Sequence, residues 1–177
     1  MNIRMSCSGV SFSRAGALFA SLLLACSPHY AAPAPISLLH KPAPAFTRND
    51  IHGHRVDLAS YRGRVVLLTF WATWCAPCQI EMPHFVRWQK ELGPQNFQVV
   101  AISMDDDAAP VLSLTGKRNV NYPVIMGDEQ LGTLYGGVLG VPVTFLIDRK
   151  GNIAAVFKGR TSLSTMKAEI VKLLASD

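Results

Sequence analysis

Apolar and polar positions along this chain follow two periodicities that together predict an α/β domain. Residues 64–71 and 97–104 are continuous apolar runs, each of the length expected for a strand buried on both faces. A stretch that suits a helix follows each run, at residues 79–92 and 108–119. This alternation of strand and helix predicts parallel strands that are joined by right-handed crossovers.

Shorter segments at both ends of this unit complete the predicted architecture. Residues 46–48 and 55–58 are predicted to form the two strands of an N-terminal β-hairpin, with Gly53 in the turn. We therefore expect a central mixed β-sheet flanked by helices, with a second antiparallel hairpin at its end. The remaining predicted elements are three strands and two helices, at residues 122–126, 129–135, 143–148, 152–158 and 163–174.

The first 25 residues have the pattern of a secretory signal peptide. Two arginines precede an apolar run, residues 15–25, that is too short for a comfortable membrane span. The run ends in Leu-Leu-Ala-Cys, which resembles a bacterial lipobox whose cysteine becomes the diacylated N-terminus. We therefore expect residues 1–25 to be a lipoprotein signal and Cys26 to be the lipidated residue. A free periplasmic protein is the alternative, because Leu24 stands where lipoboxes more often have a small residue.

Composition separates a linker from a folded domain and limits the choice of partners. Residues 26–42 are rich in proline and alanine and predict a semi-extended tether, which leaves residues 43–177 for the domain.

Hydrophobic residues make up 49% of the chain, which is enough for a packed core. Without the two arginines of the leader, 15 basic residues face 12 acidic ones. This mild excess, with no basic stripe, argues against a nucleic-acid partner.

The chemistry of the domain is concentrated in a single C-x-x-C, formed by Cys75 and Cys78. Both thiols lie where a predicted buried strand turns into a predicted helix. Free backbone N–H groups and the helix dipole stabilise a thiolate at such a position, which predicts Cys75 as the nucleophile. Cys78, one turn further along, can attack a mixed disulfide and release the substrate. The pair therefore predicts dithiol–disulfide redox chemistry.

A zinc site is the main alternative for a C-x-x-C, and it would need two further ligands. The domain has no second cysteine pair, and its histidines lack a matching spacing. The acidic run Asp105-Asp106-Asp107 suggests a metal cluster, but N-capping of the helix at 108–119 explains it more economically. We therefore expect no metal and no other cofactor.

The sequence around the dithiol resembles a known family. The run WATWCAPC at residues 71–78, followed by Glu81-Met82-Pro83, is similar to thioredoxin-like thiol–disulfide oxidoreductases of the TlpA/ResA type. The similarity continues through Tyr122-Pro123-Val124 and residues 140–151, and it covers about residues 43–175. It implies a thioredoxin-like fold in which an extra helix and strand are inserted after the second long strand.

The resemblance also implies roles for individual residues near the dithiol. Pro142 matches the cis-proline of the family, and Val141 before it presents backbone groups to a bound partner. Glu81 matches a glutamate whose raised pKa would let it relay protons to Cys78. Trp74 provides apolar surface beside the thiols, and we expect it to contact the substrate.

Two positions depart from related patterns. Thioredoxins carry a buried aspartate six residues before the first cysteine, and this chain has Thr69 there. Proton transfer would therefore depend on Glu81 or on water. Members that mature haem proteins often have glutamate directly after the cis-proline, where this chain has Val143. That difference weakens a dedicated role in cytochrome c maturation without excluding it.

These features predict an exported enzyme of the periplasm or cell envelope that reduces disulfides in envelope proteins. The resemblance implies apocytochrome c or copper chaperones as substrates, and a membrane redox donor that reduces the enzyme again. Two alternatives remain open. One is an oxidant or isomerase that installs disulfides, and the other is a non-catalytic module that holds a partner or metal in the groove at Pro142.

Overall fold

The computed structural model describes residues 38–176. The predicted signal peptide, Cys26 and most of the predicted tether lie outside the described residues. The strands are β1 (Thr47–Asn49), β2 (Arg55–Asp57), β3 (Val65–Trp71), β4 (Phe97–Ser103), β5 (Val124–Met126), β6 (Val143–Ile147) and β7 (Ile153–Lys158). The α-helices are α1 (Ala76–Leu92), α2 (Ala108–Lys117), α3 (Glu129–Leu134) and α4 (Leu163–Ala175). Short 3₁₀ turns at Leu58–Tyr61 and Gly93–Gln95 complete the regular structure.

Five of the strands form one mixed sheet in the order β5-β4-β3-β6-β7. Strand β3 pairs in parallel with β4, and β4 in parallel with β5. Strands β6 and β7 form an antiparallel hairpin whose first strand runs antiparallel to β3. Strands β1 and β2 form a separate antiparallel pair. The predicted mixed sheet, both hairpins and the inserted α2–β5 unit are thereby confirmed.

The two central strands are buried on both faces, as their unbroken apolar sequences predict. Every residue of β3 and β4 is buried. Successive residues of β3 point to opposite faces, so Val65 and Leu67 join the core that α1 and α4 cover. Val66 and Leu68 join a second core, with residues of β1–β2, α3 and β6. Within the described residues, no helix combines the length and the apolar character needed to cross a membrane.

Helix α1 begins three residues earlier than its apolar spacing predicts. Its first residues, Ala76 to Cys78, do not belong to the amphipathic pattern that marks the rest of the helix. A cap starts it instead, because Cys75 occupies the N-cap position and its Sγ accepts the backbone N–H of Cys78. Pro77 in the first turn suits this position, since the N–H that proline lacks would have no helical partner there.

The prediction that the acidic run caps α2 is wrong at the level of the side chains. Asp107 stands at the N-cap position, but its side chain makes no capping hydrogen bond. Asp105 turns away from α2 and binds Thr73, in the loop before α1. This loop offers both an N–H and a hydroxyl, so Asp105 forms more hydrogen bonds there than one cap would give.

Candidate active site

Cys75 and Cys78 are joined by a disulfide bond at the start of α1, with their Cα atoms 5.3 Å apart. Both are almost fully buried, with 4% and 3% of their surface exposed. The backbone N–H of Cys78 donates to the Sγ of Cys75 at 3.3 Å. Once the disulfide is reduced, this N–H and the helix N-terminus would favour a thiolate on Cys75 rather than on Cys78.

Pro142 lies at the same end of the sheet as the dithiol, because Val143 directly after it pairs with Phe70 near the end of β3. The Val141–Pro142 peptide bond is cis, as the resemblance implies. Pro142 is buried, and its carbonyl accepts the backbone N–H of Gly159 at 2.9 Å. Among residues 38–176, the backbone of Val141 has no such partner, so its polar groups remain available to a bound chain.

Two large apolar side chains are exposed in the loops that flank the site. Trp74, directly before Cys75, has 69% of its surface exposed. Leu139, three residues before Pro142, is completely exposed. The sequence analysis missed Leu139, although the glycines at 136, 137 and 140 mark its segment as an exposed loop. Both residues thus present exposed apolar surface in these loops.

Glu81 lies on the buried face of α1, three residues after Cys78, and only 4% of its surface is exposed. Its Oε1 has no hydrogen-bond partner among the described residues. Burial raises the pKa of this carboxyl from 4.5 to about 7. Glu81 and Cys78 both line a small cavity of about 10 Å³, whose other lining residues are Thr69, Trp71, Met82, Phe85, Ala101 and Tyr122.

Thr69, which replaces the aspartate of thioredoxins, is paired rather than ionisable. It lies opposite Thr144 in the β3–β6 ladder, and the two hydroxyl oxygens are 2.9 Å apart in a buried environment. Tyr122 also borders the cavity, and burial raises the pKa of its phenol above the usual value. Among the residues that line the cavity, Glu81 is therefore the ionisable side chain whose pKa lies near neutral pH.

Thr73, between β3 and Cys75, is bound by two side chains that the sequence analysis did not connect with the site. Asp105 accepts its backbone N–H at 2.9 Å and its hydroxyl at 2.5 Å. Gln79 donates from its side-chain amide to the carbonyl of Thr73 at 2.6 Å. No sequence signal links Asp105 to Thr73, because the two are 32 residues apart and belong to different loops.

The described residues contain no group of three or more His, Cys, Asp or Glu side chains placed to hold a metal ion. His52 and His54 are exposed beside the β1–β2 turn, where His54 lies 3.3 Å from the carboxylate of Asp50. His84 instead contacts Arg87 on the outer side of α1. These three histidines therefore do not converge on the cysteine pair.

Comparison with known proteins identifies the family of this chain. Residues 39–156 match the AhpC/TSA family. A protein of Bacillus thuringiensis subsp. konkukian named thiol-disulfide oxidoreductase ResA is 29% identical over 135 residues, which are 75% of this chain and 77% of that protein. The ResA protein of Bacillus subtilis is 34% identical over 118 residues, which are 66% and 65% of the two chains.

Solved structures show the same arrangement of strands and helices. A crystal structure of a thioredoxin family thiol:disulfide interchange protein from Chlorobium tepidum TLS is 29% identical to this chain and superposes with a TM-score of 0.71. The superposition covers 80% of this chain and 100% of that one.

Three features together define the class of thioredoxin-like thiol–disulfide oxidoreductases. They are the strand order β5-β4-β3-β6-β7, a C-x-x-C at the start of the first helix, and a cis-proline at the same end of the sheet. The chain belongs to the AhpC/TSA family, and its resemblance to proteins of the TlpA/ResA type is confirmed. It is an enzyme that exchanges thiols and disulfides.

Proposed function

We propose that this oxidoreductase reduces disulfide bonds in proteins of the bacterial envelope, with Cys75 as nucleophile and Cys78 as resolving cysteine. The hydrogen bond from the N–H of Cys78 to the Sγ of Cys75 carries this assignment of roles. It stabilises negative charge on the first sulfur and leaves the second to act later. The resemblance to TlpA/ResA proteins favours reduction over disulfide formation.

The reaction proceeds in two thiol–disulfide exchanges. The Cys75 thiolate attacks one sulfur of the substrate disulfide, forms a mixed disulfide and releases the other substrate sulfur as a thiolate. Cys78 then loses its proton and attacks the Cys75 sulfur, which forms the Cys75–Cys78 disulfide and releases the second substrate thiol. Two electrons thereby pass from the enzyme to the substrate, and a membrane thiol donor restores the dithiol.

Glu81 accepts the proton of Cys78 in the second exchange. Its carboxyl borders the same cavity as Cys78, and burial raises its pKa to about 7. A base with a pKa near the working pH is suited to both accepting and returning a proton. The neutral Thr69–Thr144 pair leaves this task to Glu81.

The substrate chain binds beside the nearly buried dithiol, against the loops that carry Trp74 and Val141. The unpartnered backbone of Val141 supports pairing with an extended segment, next to the wall formed by Pro142. The exposed indole of Trp74 would cover apolar side chains of that segment. Apocytochrome c and copper chaperones, whose cysteine pairs must be reduced before they bind haem or metal, are the candidate substrates.

The lipobox-like sequence supports an envelope location with Cys26 as membrane anchor and residues 26–42 as tether. Labelling with a fatty acid tests the anchor: label is expected on the wild type and lost in Cys26→Ala, and equal label on both would contradict it.

The reduction potential of the Cys75–Cys78 couple tests the direction of electron flow. Equilibration with glutathione buffers is expected to give a value near the ~−270 mV of thioredoxin, which is typical of a reductant. A value near the ~−120 mV of a strong disulfide oxidant would instead favour the formation of disulfides.

A further inference from the structure

The loop that leads into the dithiol, residues 72–74, is held by side chains from two other elements. All three polar groups of Thr73 are bound: Asp105 accepts the N–H and the hydroxyl, and Gln79 donates to the carbonyl. Gln79 belongs to α1, and Asp105 follows β4. Thr73 therefore connects the end of β4 to the helix that carries the reactive cysteines.

Asp105 is itself fixed in orientation by the end of β4. The hydroxyl of Ser103, which is completely buried, donates to its carboxylate at 2.7 Å. The backbone N–H of Asp105 donates back to that hydroxyl at 3.2 Å. The neighbouring Met104 N–H binds the carbonyl of Trp71 at 2.8 Å. The Asp105 carboxylate is thus held in place at the ends of β3 and β4, two strands whose residues are all buried.

The hydrogen bonds between Thr73 and Asp105 matter more once the Cys75–Cys78 disulfide is reduced. In the disulfide form a covalent bond ties Cys75 to α1. In the dithiol form this bond is gone. The backbone of Cys75 is then held by its own N–H, which donates to the carbonyl of Ala72 at 3.1 Å, by the N–H of Gln79, which donates to the Cys75 carbonyl at 3.1 Å, and by the bound Thr73 before it. The reduced enzyme, which must present its thiolate to a substrate, is therefore the state that needs these hydrogen bonds most.

We propose that Asp105 and Thr73 are positioning residues, whose hydrogen bonds keep Cys75 at the N-terminus of α1 in the reduced enzyme. The inference rests on the proposed role of Cys75 as nucleophile. Removing either partner lets the 72–74 loop relax and moves the thiolate away from the N–H groups that stabilise it. The attack on substrate slows, and the pKa of the Cys75 thiol rises.

A charge effect of the Asp105 carboxylate would give a different pattern. A nearby negative charge disfavours a thiolate, so its removal would lower the pKa of Cys75. Thr73→Val separates the two explanations, because it removes the hydroxyl hydrogen bond to Asp105 without any change of charge and leaves the backbone N–H bond in place. Thr73→Ser keeps the hydroxyl and serves as the conservative rescue.

The experiment measures two quantities on the reduced full-length chain: the rate of attack on oxidised glutathione, and the pH dependence of Cys75 alkylation by iodoacetamide. Thr73→Val and Asp105→Ala are each expected to slow the attack about tenfold. Both should move the alkylation midpoint to higher pH. Thr73→Ser should restore most of the rate, and the Thr73→Val/Asp105→Ala double variant should be no slower than the slower single variant.

Asp107→Asn is the matched control, since Asp107 is exposed two residues away and makes no capping hydrogen bond. It should react at the wild-type rate. A Thr73→Val variant with wild-type rate and midpoint would overturn the proposal, and so would additive losses in the double variant. If Cys75→Ala reacted as fast as the wild type, the proposed role of Cys75 would fail instead of the positioning role.

Discussion

Glu81 lies three residues after Cys78 on α1, and both residues line the same small cavity, so a carboxyl and a cysteine sulfur border one space. The carboxyl has no hydrogen-bond partner among the described residues at Oε1, and burial raises its pKa to about 7. An acid held in this way changes its protonation state in the pH range where the enzyme must work.

Glu81→Gln should slow the release of substrate from the mixed disulfide by about a hundredfold, because glutamine cannot accept the proton of Cys78. In the wild type the release rate should rise as pH passes about 7, where Glu81 ionises. This inflection should disappear in the variant. Stopped-flow measurement of the second exchange between pH 5 and 9 tests this. Glu91→Gln, an exposed change on the same helix, is the control, and an inflection retained in Glu81→Gln would exclude the relay.

Glu81 should also make the disulfide form less stable at high pH. Its pKa is about 7 in the folded state and near 4.5 in the unfolded state, so the folded state binds more protons between these values. The free energy of unfolding should therefore fall as pH rises from 4.5 to 7, by roughly 3 kcal/mol at most. Glu81→Gln should be more stable than wild type at pH 8 and similar at pH 4. Urea unfolding at both pH values measures this, and equal stabilities at pH 8 would contradict it.

The Thr69–Thr144 pair gives a prediction about stability alone. Thr69→Val leaves the buried hydroxyl of Thr144 without its partner and should cost about 1–3 kcal/mol. Replacing both threonines by valine removes both polar groups and should recover much of this loss. A double-mutant cycle by urea unfolding measures the coupling. Additive losses would mean that the two hydroxyls do not act as a pair.

Trp74→Ala should affect protein substrates and leave stability almost unchanged, because the indole is 69% exposed. We expect kcat/KM to fall about tenfold for a protein disulfide, since an exposed aromatic beside the reactive sulfur contributes binding surface. The rate with oxidised glutathione should change little. Val171→Ala, an exposed apolar residue on α4, is the control. Equal losses for the protein and the small disulfide would argue against a role in substrate binding.

The sequence predicted best those parts of the fold that depend on local pattern. The ends of β3 and β4 lie within one residue of the prediction, because both strands are unbroken apolar runs. The apolar spacing of α1 begins only at residue 79, but the C-x-x-C correctly indicated a helix that starts at the dithiol, where the structure shows a sulfur cap. Pro142 was predicted in the cis form from the resemblance, and not from its local sequence.

The side-chain contacts of the site were harder to predict. The burial of Glu81 depends on how α1 packs against β3 and β4, which a helical pattern alone does not specify. The acidic run after β4 contains three identical residues in sequence, and nothing in that run distinguishes Asp105, which binds Thr73, from Asp107, which does not. Contacts between separate loops follow from the register of the sheet, and this register becomes known only with the structure.

The most direct test of the central claim is to trap the mixed disulfide in living cells. A Cys78→Ala variant cannot resolve the intermediate, so Cys75 should remain linked to its substrates. Affinity purification followed by mass spectrometry is expected to find envelope proteins bound through Cys75, and to find none when Cys75 is also changed to alanine. Recovery of the same partners without Cys75 would contradict the proposed reduction of envelope disulfides by this thiol.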